Sequence, residues 1–97
     1  MSDRLYIVAY DIADPKRWRA VFRLMQAYGE WVQLSVFQCR LTDRHHAEMV
    51  AALDTIIHHA EDHVLVIDLG SAERLVPRVI SLGKKGFEPV TKEPVIV

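Results

Sequence analysis

The run Leu5-Tyr6-Ile7-Val8-Ala9-Tyr10 constrains the fold more than any other stretch of the chain. It is apolar at both parities and rich in β-branched and aromatic residues, the pattern of an inner strand or of one covered on both faces. The strand ends near Asp11, and Asp14-Pro15 then opens a helix. The Asp14 carboxylate can accept the free backbone N–H groups as N-cap, and proline at the first helical position gives up no hydrogen bond. Trp18, Val21, Phe22, Met25 and Tyr28 follow at helical spacing, and Gly29 sits where a terminal glycine takes a left-handed conformation. A strand leading directly into an amphipathic helix sets a layer of helix against a sheet.

From Trp31 to Leu41 the pattern turns to β. Ser35, Phe37, Cys39 and Leu41 share one parity, and Leu34, Val36, Gln38 and Arg40 the other. No Asn-Gly or Asp-Gly marks a turn, so periodicity alone predicts one bent strand. Thr42 or Asp43 can cap a second helix, whose apolar stripe is Met49, Val50, Leu53, Ile56, Ile57 and Ala60 and which ends near His59. Val64 to Leu69 is the next strand, bounded by Gly70-Ser71. Ala72 to Leu82 predicts a short helix or two turns around Pro77, and Phe87 to Val90 a short edge strand, where proline is tolerated. Val95-Ile96-Val97 has no evident core of its own; such a tail is either disordered or added as a strand to a neighbouring sheet, such as that of a second subunit. The element order places two helices on one face of a mostly antiparallel sheet. If Trp31 to Leu41 folds back on itself, the order is βαββαβ, an α+β ferredoxin-like sandwich.

Ninety-seven residues, 51% of them hydrophobic, suit a single domain over residues 1–97 with one core. Twelve basic against thirteen acidic residues give a net charge of −1, so any affinity for nucleic acid has to come from a local patch. One cysteine and an N-terminus without an apolar segment fit a reducing cytoplasm, and no apolar run is long enough to span a bilayer.

Asp11 is the first candidate for chemistry. A hard cation such as Mg²⁺ takes one or two protein carboxylates and fills its remaining positions with water and phosphate oxygens. The structural alternative is a local side-chain hydrogen bond made as the chain leaves the strand. Asp14 reads as the helix cap, although two carboxylates three residues apart can also converge on one ion. Lys16, Arg17, Arg19 and Arg23 make the first helix basic, with Lys16, Arg19 and Arg23 on a shared face opposite the apolar stripe. That face suits a phosphate backbone or plain solvent. Lys84-Lys85, in a segment that composition predicts as a glycine-flanked loop, either extends this patch or is plain surface. The five histidines do not form a metal set by spacing: His45 and His59 are about 21 Å apart along a helix, and the pair His59/His63 at the helix end lacks a third ligand. Cys39 alternates with Phe37 and Leu41 as a small buried hydrophobe, and Ser35 has no nucleophile-elbow context.

Taken together, Tyr10-Asp11-Ile12, Asp14-Pro15-Lys16-Arg17, Gly29 and the segment Val32-Gln33-Leu34-Ser35-Val36-Phe37-Gln38 resemble the CRISPR-associated protein two family over nearly the whole chain. The resemblance implies that the Gln-x-Ser segment breaks the β region into a tight hairpin, with strands near Trp31 to Gln33 and Val36 to Leu41. It implies a ferredoxin-like homodimer in which a C-terminal extension, about residues 88–97, reaches the partner's sheet. It further implies that the two copies of Asp11 face each other across the two-fold axis and hold one divalent ion, Mg²⁺ or Mn²⁺. Tyr10, Ser35 and Phe37 enter as structural residues of the family motif, and Arg17 and Arg19 fall where the family carries basic residues. The implied activity is metal-dependent cleavage of single-stranded RNA or double-stranded DNA. The implied partner is the CRISPR-associated protein one integrase, with which spacer DNA is added to the CRISPR array. The chain departs from the family pattern at Gln38, often acidic in relatives, and in its modest net charge. The alternatives are a non-catalytic scaffold that positions DNA for the integrase, and a regulatory or toxin-like dimer of the same fold.

Overall fold

The computed structural model describes residues 3–83. Its elements run β1 (Arg4–Asp11), α1 (Pro15–Tyr28), β2 (Glu30–Gln33), β3 (Val36–Leu41), α2 (Asp43–Ile56) and β4 (His63–Ser71). The sheet order is β2-β3-β1-β4, and every pairing is antiparallel. This is the βαββαβ order of a ferredoxin-like sandwich, with β1 as an inner strand. Among the described residues no helix is long and apolar enough to cross a membrane.

One face of the sheet packs on the helices. Tyr6, Val8 and Tyr10 of β1 and Phe37, Cys39 and Leu41 of β3 join Val21 and Met25 of α1 and Met49 and Leu53 of α2 in a single buried cluster. Trp18, Phe22 and Tyr28 complete the α1 stripe, half-buried at its edge. Burial pushes the Cys39 thiol up to about 12, so it stays protonated and acts as a core residue. On the opposite face the alternation leaves an apolar surface. Ile7 pairs with Ile67 and Ala9 with Leu65, and Leu65, Ile67 and Leu69 are 48%, 44% and 45% exposed.

Four expectations change. The bent strand of periodicity alone is two strands, as the family resemblance implies: a two-residue turn at Leu34-Ser35 sets Gln33 opposite Val36, and Leu34 takes φ +43° without being glycine or asparagine. The turn is held from outside by Trp31 Nε1 donating to the Leu34 carbonyl at 3.0 Å and by the Tyr10 N–H donating to the Ser35 carbonyl at 3.1 Å. Gly29 is extended, at φ −159° and ψ −166°, not left-handed. It is glycine because a Cβ there would lie 2.5 Å from Cys39 Sγ and 2.6 Å from the Gln38 carbonyl. The second helix, capped by Thr42, stops at Ile56 short of His59, because the Asp62 carboxylate takes the His58 N–H at 2.8 Å and turns the chain. Past Ser71 there is a turn and then no regular element through Leu82, so the short helix does not form. The edge strand at Phe87 to Val90 and the tail at Val95 to Val97 lie outside the described residues.

Candidate metal and nucleic-acid site

Asp11 ends β1 where the strand leaves the sheet, on the apolar face that carries Ile7 and Ala9. Its carboxylate is exposed and makes no hydrogen bond or ion pair among the described residues. The local hydrogen bond weighed as the structural alternative is therefore not formed. Asp14 is committed elsewhere. Its Oδ2 accepts from the N–H groups of Lys16 and Arg17, both at 2.9 Å, and these bonds, Arg17's first, hold its carboxyl below the usual range. Asp14 thus caps α1.

The loop between them is fixed by a residue that sequence reasoning passed over. Asp62, whose side chain has 0% exposure, accepts four hydrogen bonds. They come from Ala13 N–H at 2.9 Å, His58 N–H at 2.8 Å, Arg17 Nε at 2.8 Å and Arg17 Nη2 at 3.2 Å. Arg17 Nη2 also donates to Glu61 at 2.9 Å. The Arg17 guanidinium, above all, holds the Asp62 carboxyl well below the carboxylate range. Asp62 immediately precedes β4 with no periodicity or spacing to mark it, so only the fold reveals its role. Arg17 is accordingly turned into the protein. Lys16, Arg19 and Arg23 are the exposed cations of α1, and none forms an ion pair among the described residues.

The motif residues Tyr10, Ser35 and Phe37 meet beneath this loop. Phe37 is wholly buried between Tyr10 and Phe22, with ring centroids 6.3 and 5.5 Å away. Trp18 Nε1 donates to Ser35 Oγ at 3.1 Å, tying the start of α1 to the β2–β3 turn. The Tyr10 hydroxyl is buried without a hydrogen-bond partner; burial pushes the phenol up to about 12, with the nearby Ser35 hydroxyl opposing weakly.

The histidines scatter. His46 stacks on Tyr6 with centroids 4.4 Å apart, and His59 Nε2 lies 3.2 Å from Asp54 Oδ1. His63 starts β4 as the cross-strand partner of Asp11, so the pair His59/His63 is divided between two sites.

An α+β sandwich of ferredoxin-like order, presenting one unpartnered carboxylate at the end of its inner strand, defines the class of the protein. The chain belongs to the CRISPR-associated protein Cas2 family, whose model matches residues 4–75. It is 52% identical over 95 residues to the CRISPR-associated endoribonuclease Cas2 of Geobacter sulfurreducens, covering 98% of this chain and 99% of that one. It is 51% identical over 96 residues to the CRISPR-associated endoribonuclease Cas2 1 of Rhodospirillum rubrum, covering 99% and 93%. The crystal structure of Streptococcus pyogenes Cas2 at pH 6.5 superposes with a TM-score of 0.71 at 33% identity, covering 81% of this chain and 99% of that one.

Proposed function

We propose that the chain works as a homodimer whose paired Asp11 carboxylates hold one divalent ion, Mg²⁺ or Mn²⁺, and cleaves phosphodiester bonds of RNA or DNA in CRISPR defence. The observation that carries this reading is the unpartnered Asp11 carboxylate at the rim of an apolar sheet face. An exposed carboxylate free of protein partners fits the oxygen chemistry of a hard ion. Among the described residues no group of three His, Cys, Asp or Glu in one chain suits a metal ion, which favours a half-site completed by a second copy. A bound divalent ion supplies a Lewis acid for the phosphate and a lower pKa for an attacking water. The Asp62 clamp and the Asp14 cap hold the loop that follows Asp11, and Lys16, Arg19 and Arg23 offer phosphate contacts on the neighbouring helix. The names of the relatives support a nuclease.

Asp11→Ala should abolish metal-dependent cleavage of single-stranded RNA and duplex DNA while the protein stays dimeric by light scattering. Undiminished cleavage by the purified variant would rule the mechanism out. The second reading, a scaffold that positions DNA for the CRISPR-associated protein one integrase, is favoured by Lys16, Arg19 and Arg23 of α1, which form no ion pair among the described residues. It predicts that Asp11→Ala leaves spacer integration unchanged.

A further inference from the structure

The β1–β4 ladder sets Asp11 opposite His63 as its last pair, with Ala9/Leu65 and Ile7/Ile67 beneath on the same face. The register is continuous from Tyr6 to Asp11; its one irregularity lies between Leu5 and Tyr6, at the far end. Side chains directly opposite each other in an antiparallel pair have Cβ atoms roughly 4.5–5.5 Å apart and stand on one face. That separation lets a carboxylate oxygen and an imidazole nitrogen bind a common ion, each at about 2.0–2.2 Å. Both side chains are exposed, and neither makes a hydrogen bond, ion pair or ring contact among the described residues. Of the five histidines, His59 faces Asp54 and His46 lies on Tyr6, whereas His63 is the cross-strand partner of the candidate metal carboxylate.

The backbone on both sides of this pair is fixed by one group. Asp62, the residue before His63, holds Ala13, two residues after Asp11, through the Ala13 N–H. The two strand ends that carry the donors are thus fastened to each other, and the separation of the donors is set before any ion arrives.

We infer that His63 is a second protein ligand of the Asp11 metal site, so that each protomer offers one oxygen and one nitrogen and the site prefers a first-row transition ion, Mn²⁺, to Mg²⁺. Mg²⁺ is a hard ion that takes oxygen and keeps its waters; Mn²⁺ shares the taste for carboxylate oxygen but, as a first-row transition ion, accepts an imidazole nitrogen in place of a water more readily than Mg²⁺ does. The inference rests on the assignment of Asp11 as a metal ligand and chooses between the two ions that assignment leaves open.

The test uses the full chain and the metals alone, with no nucleic acid. Isothermal titration with MnCl₂ and MgCl₂ should show Mn²⁺ bound at least about tenfold more tightly than Mg²⁺. His63→Ala should lower Mn²⁺ affinity by about tenfold or more and leave that for Mg²⁺ within about twofold, removing the preference. Pulsed electron paramagnetic resonance of the Mn²⁺-loaded protein should show the nitrogen modulation of a directly bound imidazole, lost in His63→Ala. Survival of that modulation in His63→Ala, or an equal fall in both affinities, would overturn the inference while leaving Asp11 in place. Asp11→Ala should lose both metals. Full metal affinity in Asp11→Ala, or no saturable binding in the wild type, would instead overturn the Asp11 assignment and this inference with it.

Discussion

Three aspartates lie at one corner of the protein, and their partners separate their roles. Asp14 gives its carboxylate to the N-terminus of α1, Asp62 gives its own to Arg17 and two backbone N–H groups, and Asp11 has no partner among the described residues. The Asp62 clamp has a pH signature. Its folded carboxyl titrates well below the unfolded value of about 4, so the stabilisation is complete above that value and fades as pH falls toward the folded one. Asp62→Asn should melt below the wild type at pH 7, and the gap should narrow as the pH is lowered from about 4 toward 2. Circular dichroism melts across that range measure it, and a gap independent of pH would show that the charge is not what stabilises the loop. At this scale the sequence identified Asp11 and Asp14 through the strand end and the Asp-Pro cap. It left Arg17 with the phosphate-facing cations, because nothing local shows that Asp62, 45 residues away, will meet it.

At the scale of elements, the turns depend on contacts from outside themselves. Leu34 holds a left-handed conformation at a hairpin turn with neither glycine nor asparagine, so turn chemistry gives no signal there, and the restraint comes from Trp31 and Tyr10. Gly29 was legible as the end of α1, but for a conformational reason it does not use. What makes it glycine is the approach of β3, with Cys39 Sγ and the Gln38 carbonyl where a Cβ would go. Gly29→Ala should therefore cost about 1–3 kcal/mol, read from urea denaturation, because α1 or β3 has to shift. An unchanged midpoint would mean that the two elements separate freely at this point.

At the scale of the whole molecule, the unusual property is a sheet with two apolar faces and helices on only one. Leu65, Ile67 and Leu69 remain nearly half exposed on the other, next to Ile7 and Ala9. A contiguous surface of that kind, with Asp11 and His63 at its rim, suits burial against a second copy. In the proposed dimer, Ile67→Glu should weaken association by on the order of a hundredfold or more, since a carboxylate buried without a partner costs several kcal/mol. Light scattering should then report a monomer, and metal-dependent cleavage should be lost although Asp11 is intact. A variant that remains dimeric would move the interface elsewhere.

The sequence by itself determined β1, the two helices and β4 and their order, because period-2 and period-3.6 patterns and an Asp-Pro cap are local signals that survive without knowledge of the fold; it was the family resemblance, not periodicity, that divided β2 from β3. The sequence also determined which carboxylate ends the inner strand. Tertiary structure decided what each polar group does. It showed that Arg17 turns inward to Asp62, that Asp11 is left free among the described residues, and that His63 is its cross-strand partner. The physical reason is that partners across a sheet or between loops are set by register and packing, which join residues about 50 positions apart and leave no periodic trace in the chain.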